Sequence, residues 1–420
     1  MGSEQKIKSM TIKNLIKKEA ARQKRVINLI PSENYVSKNV LAALGSSLTN
    51  KYAEGYPHRR YYSGTKTVDD IEDAARNLVY KVFKISPKKY GVNVQPYSGS
   101  IANLAVYLAV VGPGGKILAM LLGHGGHLTH GHNVSWTGKL FNFAHYGVGQ
   151  DGFIDYDEVL KIAKKFKPQL IVVGATAYPR KFDFKKFRRI ADSVGALLMA
   201  DIAHIAGLVV GGVHPSPFPY ADIVTTTTQK TLRGPRGAII MSRKSKIENR
   251  KSEKSELLPD LIDKAVFPGL QGGPQLHTIA AIGVCLEEAL RPSFKKYARQ
   301  TVANAKALAT ELKRLGFALI SGGTDNHMML VDVTPLGLTG KEAGERLERA
   351  GIIVNKNMIP YDTRKPWDPS GIRLGTPAVT TQGMKEKDMV KIARKIKKVL
   401  TPNEAARAHS VPLLRTGLTR

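Results

Sequence analysis

Between residues 90 and 241, short apolar runs alternate with longer segments whose apolar residues return every three or four positions. The runs 90–95, 170–173, 195–200, 223–228 and 238–241 have strand length and are rich in apolar and β-branched residues, so each predicts a buried strand. The segments 101–111, 159–166 and 184–194 have helical spacing, as does 68–83 ahead of them. Strand and helix in alternation imply an α/β fold built on a mostly parallel sheet with helices on both faces. Beyond it the pattern predicts helices over 276–290, 301–315 and 340–350 and strands over 328–333 and 352–354, a smaller α+β region. Residues 1–26 read as an amphipathic basic helix, 244–254 as an exposed loop, and the segment after 398 as a loosely held tail without a clear period. The stretch 267–274 is too rich in glycine for the interior of an element. The expected division is an N-terminal arm (1–45), a large domain (46–285), a small C-terminal domain (286–400) and a tail (401–420).

Composition narrows the class. A chain of 420 residues that is 42% hydrophobic and 23% charged can bury a large core. One cysteine, Cys285, excludes an intrachain disulfide and a multi-cysteine zinc site, which fits a reducing, cytoplasmic setting. The longest apolar stretch, 195–213, contains Asp201 and His204 and so argues against a membrane span. The first ten residues carry acid and lysines without an apolar core, so no signal peptide is expected. The charge is unusual: 64 Lys and Arg against 34 Asp and Glu leave +30. Such an excess attracts polyanions, but it is dispersed along helix-patterned segments. No zinc finger, homeodomain or RNA-binding pattern accompanies it, so no specific nucleic-acid partner is expected.

Several stretches carry candidate chemistry. Lys230 follows the β-branched run 223–228 and precedes a Gly/Pro loop, Arg233–Gly237. An amine buried there has a lowered pKa and, once neutral, can form a Schiff base; the plainer alternative is a surface lysine in a basic loop. Ser98, Gly99 and Ser100 lie between a strand and a helix start, where free N–H groups and the helix dipole receive a phosphate, or where a serine simply caps the helix. Ser32 and Glu33 could cap the helix after them. Glu54 stands among Tyr52, Tyr56, Tyr61 and Tyr62, and a carboxyl against aromatic rings can carry a proton near neutrality. His124, His127, His130 and His132 resemble a metal cluster, but no carboxylate lies close and no metal is expected. Asp201 ends a predicted strand, where parallel sheets place ligand groups.

The segment 225–237, TTTTQKTLRGPRG, resembles the cofactor-lysine motif of the serine hydroxymethyltransferase family. PSENY, TNKYAEGYP, RYYSG, NVQPYSGS, GGHLTHG, VFPGLQGGP, SGGTDNHM, LTGKEA and SGIRLGTPAVT follow that family's order from Ile27 to about Gly383. The resemblance implies a fold-type I (aminotransferase-like) large domain with a seven-stranded sheet. It also implies pyridoxal 5'-phosphate bound covalently to Lys230, and tetrahydrofolate, L-serine and glycine as substrates and product. By resemblance, Asp201 pairs with the pyridine nitrogen, His127 covers the ring, His204 lies against ring and substrate, Thr176 sits near the ring hydroxyl, and Thr227 helps position the exchange at the lysine. Gln229 belongs to the cofactor shell. Arg373 fixes the substrate carboxylate and Ser32 lines the amino-acid pocket. Glu54 is the acid/base residue, Tyr62 neighbours the carboxylate, and Tyr52 and Gly273 reach the cofactor phosphate. These last come from a neighbouring subunit, so a homodimer, or a tetramer, is implied. Tyr61, Leu122, Gly126, Leu128, Asn357, Pro366 and Trp367 match positions around the folate.

One departure stands out. The family commonly has His immediately before the lysine, and here Gln229 replaces it. The amide keeps hydrogen-bonding capacity but removes a titrating group at a position linked to substrate selection. The rival enzyme reading is a folate-independent pyridoxal-phosphate aldolase of β-hydroxy amino acids, resembling threonine aldolase. It would keep Lys230, Asp201 and Arg373 without needing a pterin site. The non-enzyme rival is a basic scaffold for polyanions, indifferent to Lys230.

Overall fold

A computed structural model describes residues 11–248 and 255–401. Its centre is a seven-stranded sheet of β1 (Tyr90–Asn93), β2 (Lys116–Met120), β3 (Asn142–Tyr146), β4 (Leu170–Val173), β5 (Leu197–Asp201), β6 (Ile223–Thr227) and β7 (Ala238–Arg243), in the order β1-β7-β6-β5-β4-β2-β3. Only β7 runs against the others. The expected α/β architecture is therefore present. The sequence pattern named neither β2 nor β3. β3 lies at the sheet edge and is mostly half-buried, so it lacks the continuous apolar run that marks β4 and β6.

Helices Gly99–Val110, Tyr156–Phe166 and Phe184–Ser193 follow β1, β3 and β4 and cover the sheet. Two apolar layers result. One packs Ile171, Leu198 and Val224 against Phe187 and helix Leu276–Leu290, and the other packs Ile117, Leu170 and Ile240 against helix Gly99–Val110. A separate core around Leu29, Met329, Ile372 and Ile396 surrounds a four-stranded sheet of β8 (Ala318–Leu319), β9 (Met328–Asp332), β10 (Asn355–Asn357) and β11 (Gly371–Gly375), in the order β8-β9-β11-β10. Helix Pro292–Arg314 joins the two cores: Phe294 and Tyr297 pack in the first, Leu308 and Leu312 in the second.

Local details differ from the sequence reading. Helix Lys38–Leu44 is capped by Ser37, whose hydroxyl accepts from Val40 N, rather than by Ser32 or Glu33, which lie in the preceding turn and loop. Within the segment 244–254, expected to be an exposed loop, Lys246–Glu248 forms a strand paired antiparallel with Ser255–Leu257, and residues 249–254 lie outside the described residues. The helix expected at 301 starts nine residues earlier, at Pro292, where proline sits at the first position. The N-terminal helix is described from Ile12 to Arg25, with Thr11 as its cap. The rest of the predicted arm helix and the tail beyond 401 lie outside the described residues.

Candidate active site

β1, β4, β5 and β6 end on the same edge of the sheet, and the loops leaving those ends surround a cavity of about 470 Å³. Parallel sheets collect ligand groups at this edge because strand ends and helix N-termini converge there. Lys230, three residues past β6, lines the cavity. Its backbone is fixed from three sides. Asn34 Nδ2 donates to Lys230 O (3.0 Å) and to Tyr297 Oη (2.8 Å), Gly234 N donates to Thr228 O (2.7 Å), and the Thr228 hydroxyl donates to Pro235 O (2.6 Å). Gly234 is required for the close approach: a Cβ there would lie 2.7 Å from Cys285 Sγ. The single cysteine is thus a packing residue beneath the lysine loop. Among the described residues Lys230 Nζ makes no hydrogen bond. Burial pushes the amine down to about 8.

Asp201 closes β5 opposite Lys230. Its Oδ2 accepts from Asn103 Nδ2 (2.9 Å) and faces His130 Nε2 (3.2 Å), and its Oδ1 accepts from Ala203 N (3.1 Å). His130 Nδ1 already accepts from His127 N (3.2 Å), so Nε2 carries the proton and donates to the carboxylate. Burial opposes the charge of Asp201, but the bonds from His130 and Asn103 outweigh it and hold the carboxyl well below the usual range. The expectation that no carboxylate lies close to the histidine loop is therefore corrected: Asp201, distant in sequence, contacts it. Among the described residues no group of His, Cys, Asp or Glu forms a metal cluster.

His127 Nδ1 accepts from Thr129 N (3.2 Å) and meets the Thr129 hydroxyl (2.7 Å), so the ring is fixed by its own loop. Burial, with His130 adjacent, pushes it down to about 4, leaving a neutral flat ring at the cavity wall. His204 is buried against His327 (Nδ1 to Nε2, 3.4 Å), and burial holds it well below its ordinary range.

Arg373, on β11, enters the cavity from the smaller sheet. Its Nε donates to Asn355 Oδ1 (3.1 Å) and its Nη1 to Thr176 O. Only 8% of the residue is exposed, and among the described residues it has no carboxylate partner. A buried guanidinium without a counter-ion costs several kcal/mol, which a ligand carboxylate would offset. Burial pushes it down to about 10.

Ser32, Ser98, Gly99, Ser100, Leu122, Gly126, Leu128, Thr176, Thr227, Gln229 and Asn357 also line this cavity, as sequence reasoning grouped them. The Thr176 hydroxyl donates to Gly126 O (2.8 Å), and Ser98 caps helix Gly99–Val110. Asn103, His130 and Arg236 line it too and were missed as site residues. Asn103 sits mid-helix, and nothing in its local sequence marks it.

Another group stays apart within one chain. Tyr52, Glu54, Tyr61, Tyr62 and Gly273 do not line the Lys230 cavity. Tyr52 Oη donates to Glu54 Oε1 (3.4 Å), the Tyr52 and Tyr62 rings meet at 5.0 Å, and a Cβ on Gly273 would lie 2.9 Å from the Tyr52 ring. This cluster is exposed yet rigid beneath. Arg60 is paired with Asp69 and Glu72 and donates to Ala53 O and Gly55 O, while Gln95 Nε2 also reaches Glu72. Pro366 and Trp367 also lie outside the cavity, and Trp367 is 64% exposed.

Comparison with known proteins decides the family. The model of the family described as serine hydroxymethyltransferase matches residues 6–396. The chain belongs to the serine hydroxymethyltransferase family. A curated serine hydroxymethyltransferase of Methanosarcina barkeri (strain Fusaro / DSM 804) is 56% identical over 390 residues, 93% of this chain and 91% of that protein.

Serine hydroxymethyltransferases use pyridoxal phosphate, with tetrahydrofolate as co-substrate, and the cavity fits that cofactor. It offers an unpartnered amine that burial brings down to about 8 and an ionised carboxylate for a protonated ring nitrogen. A flat imidazole stands at the wall, and a serine-rich helix N-terminus can meet a phosphate. A Cβ on Gly99 would lie 2.6 Å from Thr227 Cγ2, so the chain leaves room there that any side chain would fill. Gln229 Oε1 is buried without a hydrogen-bond partner at the same cavity, consistent with a polar ligand.

Proposed function

We propose that the residues gathered around Lys230 carry out the reaction of the family: reversible transfer of the hydroxymethyl group of L-serine to tetrahydrofolate, giving glycine and 5,10-methylenetetrahydrofolate. The observation that carries this reading is the buried trio of an unpartnered amine, Lys230, an ionised carboxylate, Asp201, and a guanidinium without a counter-ion, Arg373.

Pyridoxal phosphate, when bound, supplies an aldehyde carbon for an amine and a cationic ring that draws electrons from the Cα of an amino acid. Lys230 would hold the group through its amine and would give way there to the amine of the substrate. Asp201 keeps a proton on the ring nitrogen, and the bonds from Asn103 and His130 keep Asp201 charged. His127, at the cavity wall, would cover the ring. Ser98, Gly99, Ser100 and Gln229 surround the phosphate, with Tyr52 and Gly273 contributed by a second copy. Thr176 and His204 border the ring, and Thr227 sits beside the lysine. Arg373 grips the serine carboxylate with two parallel N–H bonds, aided by Ser32 and Tyr62. Glu54 of the partner subunit moves the proton at the serine hydroxyl oxygen. Tyr61, Leu122, Gly126, Leu128, Asn357, Pro366 and Trp367 take the folate.

The separation of the Glu54 cluster from the Lys230 cavity supports a homodimer in which each site draws on both chains. The large domain (46–285) holds the cofactor, and the small domain (286–400), which carries Arg373, closes on the substrate. Among the described residues no helix is long and apolar enough to cross a membrane. The single thiol, Cys285, is buried, and its burial pushes it up to about 12, which makes it an inert packing group; a chain with one cysteine and so no intrachain disulfide favours the cytoplasm.

The deciding experiment is an absorption spectrum of the purified protein with glycine, before and after tetrahydrofolate. A new long-wavelength band that grows on adding the folate supports the reading. A spectrum indifferent to tetrahydrofolate, with cleavage of β-hydroxy amino acids retained, favours the folate-independent aldolase.

A further inference from the structure

A larger cavity, about 850 Å³, opens at the other end of the central sheet. Arg243, the last residue of β7, pairs in register with Tyr90, the first of β1, and both line it, so it lies at the edge opposite the Lys230 loop. Its wall is made where the chain after helix Ala206–Val210 meets helix Pro292–Arg314. The two approach so closely that a Cβ on Gly211 would sit 2.2 Å from Ala298 Cβ.

The chemistry of the lining is one-sided. Lys84, Lys89, Arg243, Lys295 and Arg299 contribute five cations, and no carboxylate lines the cavity. Among the described residues none of the five is in an ion pair, whereas the buried Arg60, for example, is held by Asp69 and Glu72. Arg243 is held in plane by carbonyls: its Nε donates to Ala221 O (3.0 Å) and its Nη2 to Phe218 O (3.2 Å) and Pro219 O (2.9 Å). Both hydrogens of Nη1 remain unused among the described residues. Like charges gathered in a concave surface repel one another and focus a positive potential into it.

Two further features point to a ligand. His214, 6% exposed, lines the cavity, and its Nε2 has no hydrogen-bond partner. Its Nδ1 lies 3.0 Å from Pro215 O, a carbonyl, so Nδ1 carries the proton and Nε2 offers a lone pair. That lone pair suits a ligand hydroxyl or amino group. The floor is apolar and aromatic: Tyr90 and Phe218 meet edge to face at 5.7 Å, and Phe218 lies 5.7 Å from Phe83.

We propose that this cavity binds a small phosphate ester with a flat, hydroxyl- or amino-bearing body, the chemistry of a nucleotide. The cations take the phosphates, Tyr90 and Phe218 pack against the flat part, and His214 Nε2 accepts from the ligand. A concave cavity of this volume favours a small molecule over a nucleic-acid strand, which would follow a groove. The site is separate from the folate and serine cavity and shares no lining residue with it.

The test is calorimetric titration of the pyridoxal-phosphate-loaded protein, whose own phosphate cup is filled, with metal-free ATP at low salt. One ATP per chain is expected. Binding should weaken as salt rises, and it should be at least tenfold weaker in the exposed double variant Lys295→Ala/Arg299→Ala and in Lys84→Ala/Lys89→Ala, with serine turnover unchanged in both. Tripolyphosphate should bind more weakly than ATP, because it cannot use the aromatic floor or His214. Equal ATP affinity in the wild-type chain and both double variants overturns the proposal, as does tripolyphosphate binding as tightly as ATP, or binding of an RNA oligonucleotide without binding of ATP.

Discussion

At Lys230, one physical cause serves both structure and chemistry. The loop that packs over Cys285 and Tyr297 removes the amine from water, and the same removal makes it neutral closer to physiological pH. Cofactor-free protein should therefore capture pyridoxal phosphate faster as pH rises, levelling off above about 8, and stopped-flow absorbance reads this directly. A plateau delayed to the ordinary lysine range would contradict it. The sign for stability follows. A base whose folded pKa lies below its unfolded value destabilises the fold at low pH, and that cost is relieved as pH rises from about 8 towards 10.5. Arg373 presents the complementary case, a buried cation awaiting an anion. Arg373→Lys keeps the charge but loses the planar fork. It should raise the KM for serine about 10- to 100-fold with a smaller effect on kcat, measured by steady-state kinetics. Replacing Lys230 with Ala should leave a folded protein, by circular dichroism, without the cofactor's visible band and without turnover.

The elements matter through where they end. β1, β5 and β6 stop at the same level, so a helix N-terminus, a carboxylate and an amine face one cavity. Helix Gly99–Val110 begins so close to β6 that Gly99 admits no side chain. Gly99→Ala should push the helix start away from Thr227. Thermal or denaturant unfolding should show a loss of about 1–3 kcal/mol, with a weaker hold on the cofactor seen by dialysis. Stability and cofactor retention equal to the original chain would show that the helix start shifts at no cost. Element types were legible from apolar periodicity at β4 and β6, where both faces of the strand are buried, but β2, buried at all but its first residue, was missed all the same. They were illegible at β3, whose edge position relaxes the demand for apolar residues.

For the whole molecule, the separation between the Glu54 cluster and the Lys230 cavity has the largest consequence. The tyrosine-rich segment is anchored by the buried Arg60–Asp69–Glu72 pairs and still shows Tyr52, Tyr61 and Tyr62 to solvent. A rigid, exposed cluster of this kind is suited to a second chain related by two-fold symmetry. If sites are shared, Lys230→Ala and Glu54→Ala proteins, each inactive alone, should regain part of the activity when dissociated and reassociated together, because mixed dimers contain one intact site. Failure to regain any activity, with mixed dimers confirmed by mass, would place Glu54 elsewhere.

The sequence by itself determined the α/β class, the family and most of the groups that line the Lys230 cavity. Strand periodicity and glycine-bearing loop motifs are local properties, and each motif keeps its chemistry within a few residues. The tertiary structure decided what depends on contacts distant along the chain. Asn103 and His130 meet Asp201 only because a helix and a loop from elsewhere pack against the end of β5. His327 reaches His204 across the two cores, and five cations from three separate segments face one cavity. No local pattern encodes such meetings, because burial and hydrogen bonding act on proximity in space rather than on order in the chain.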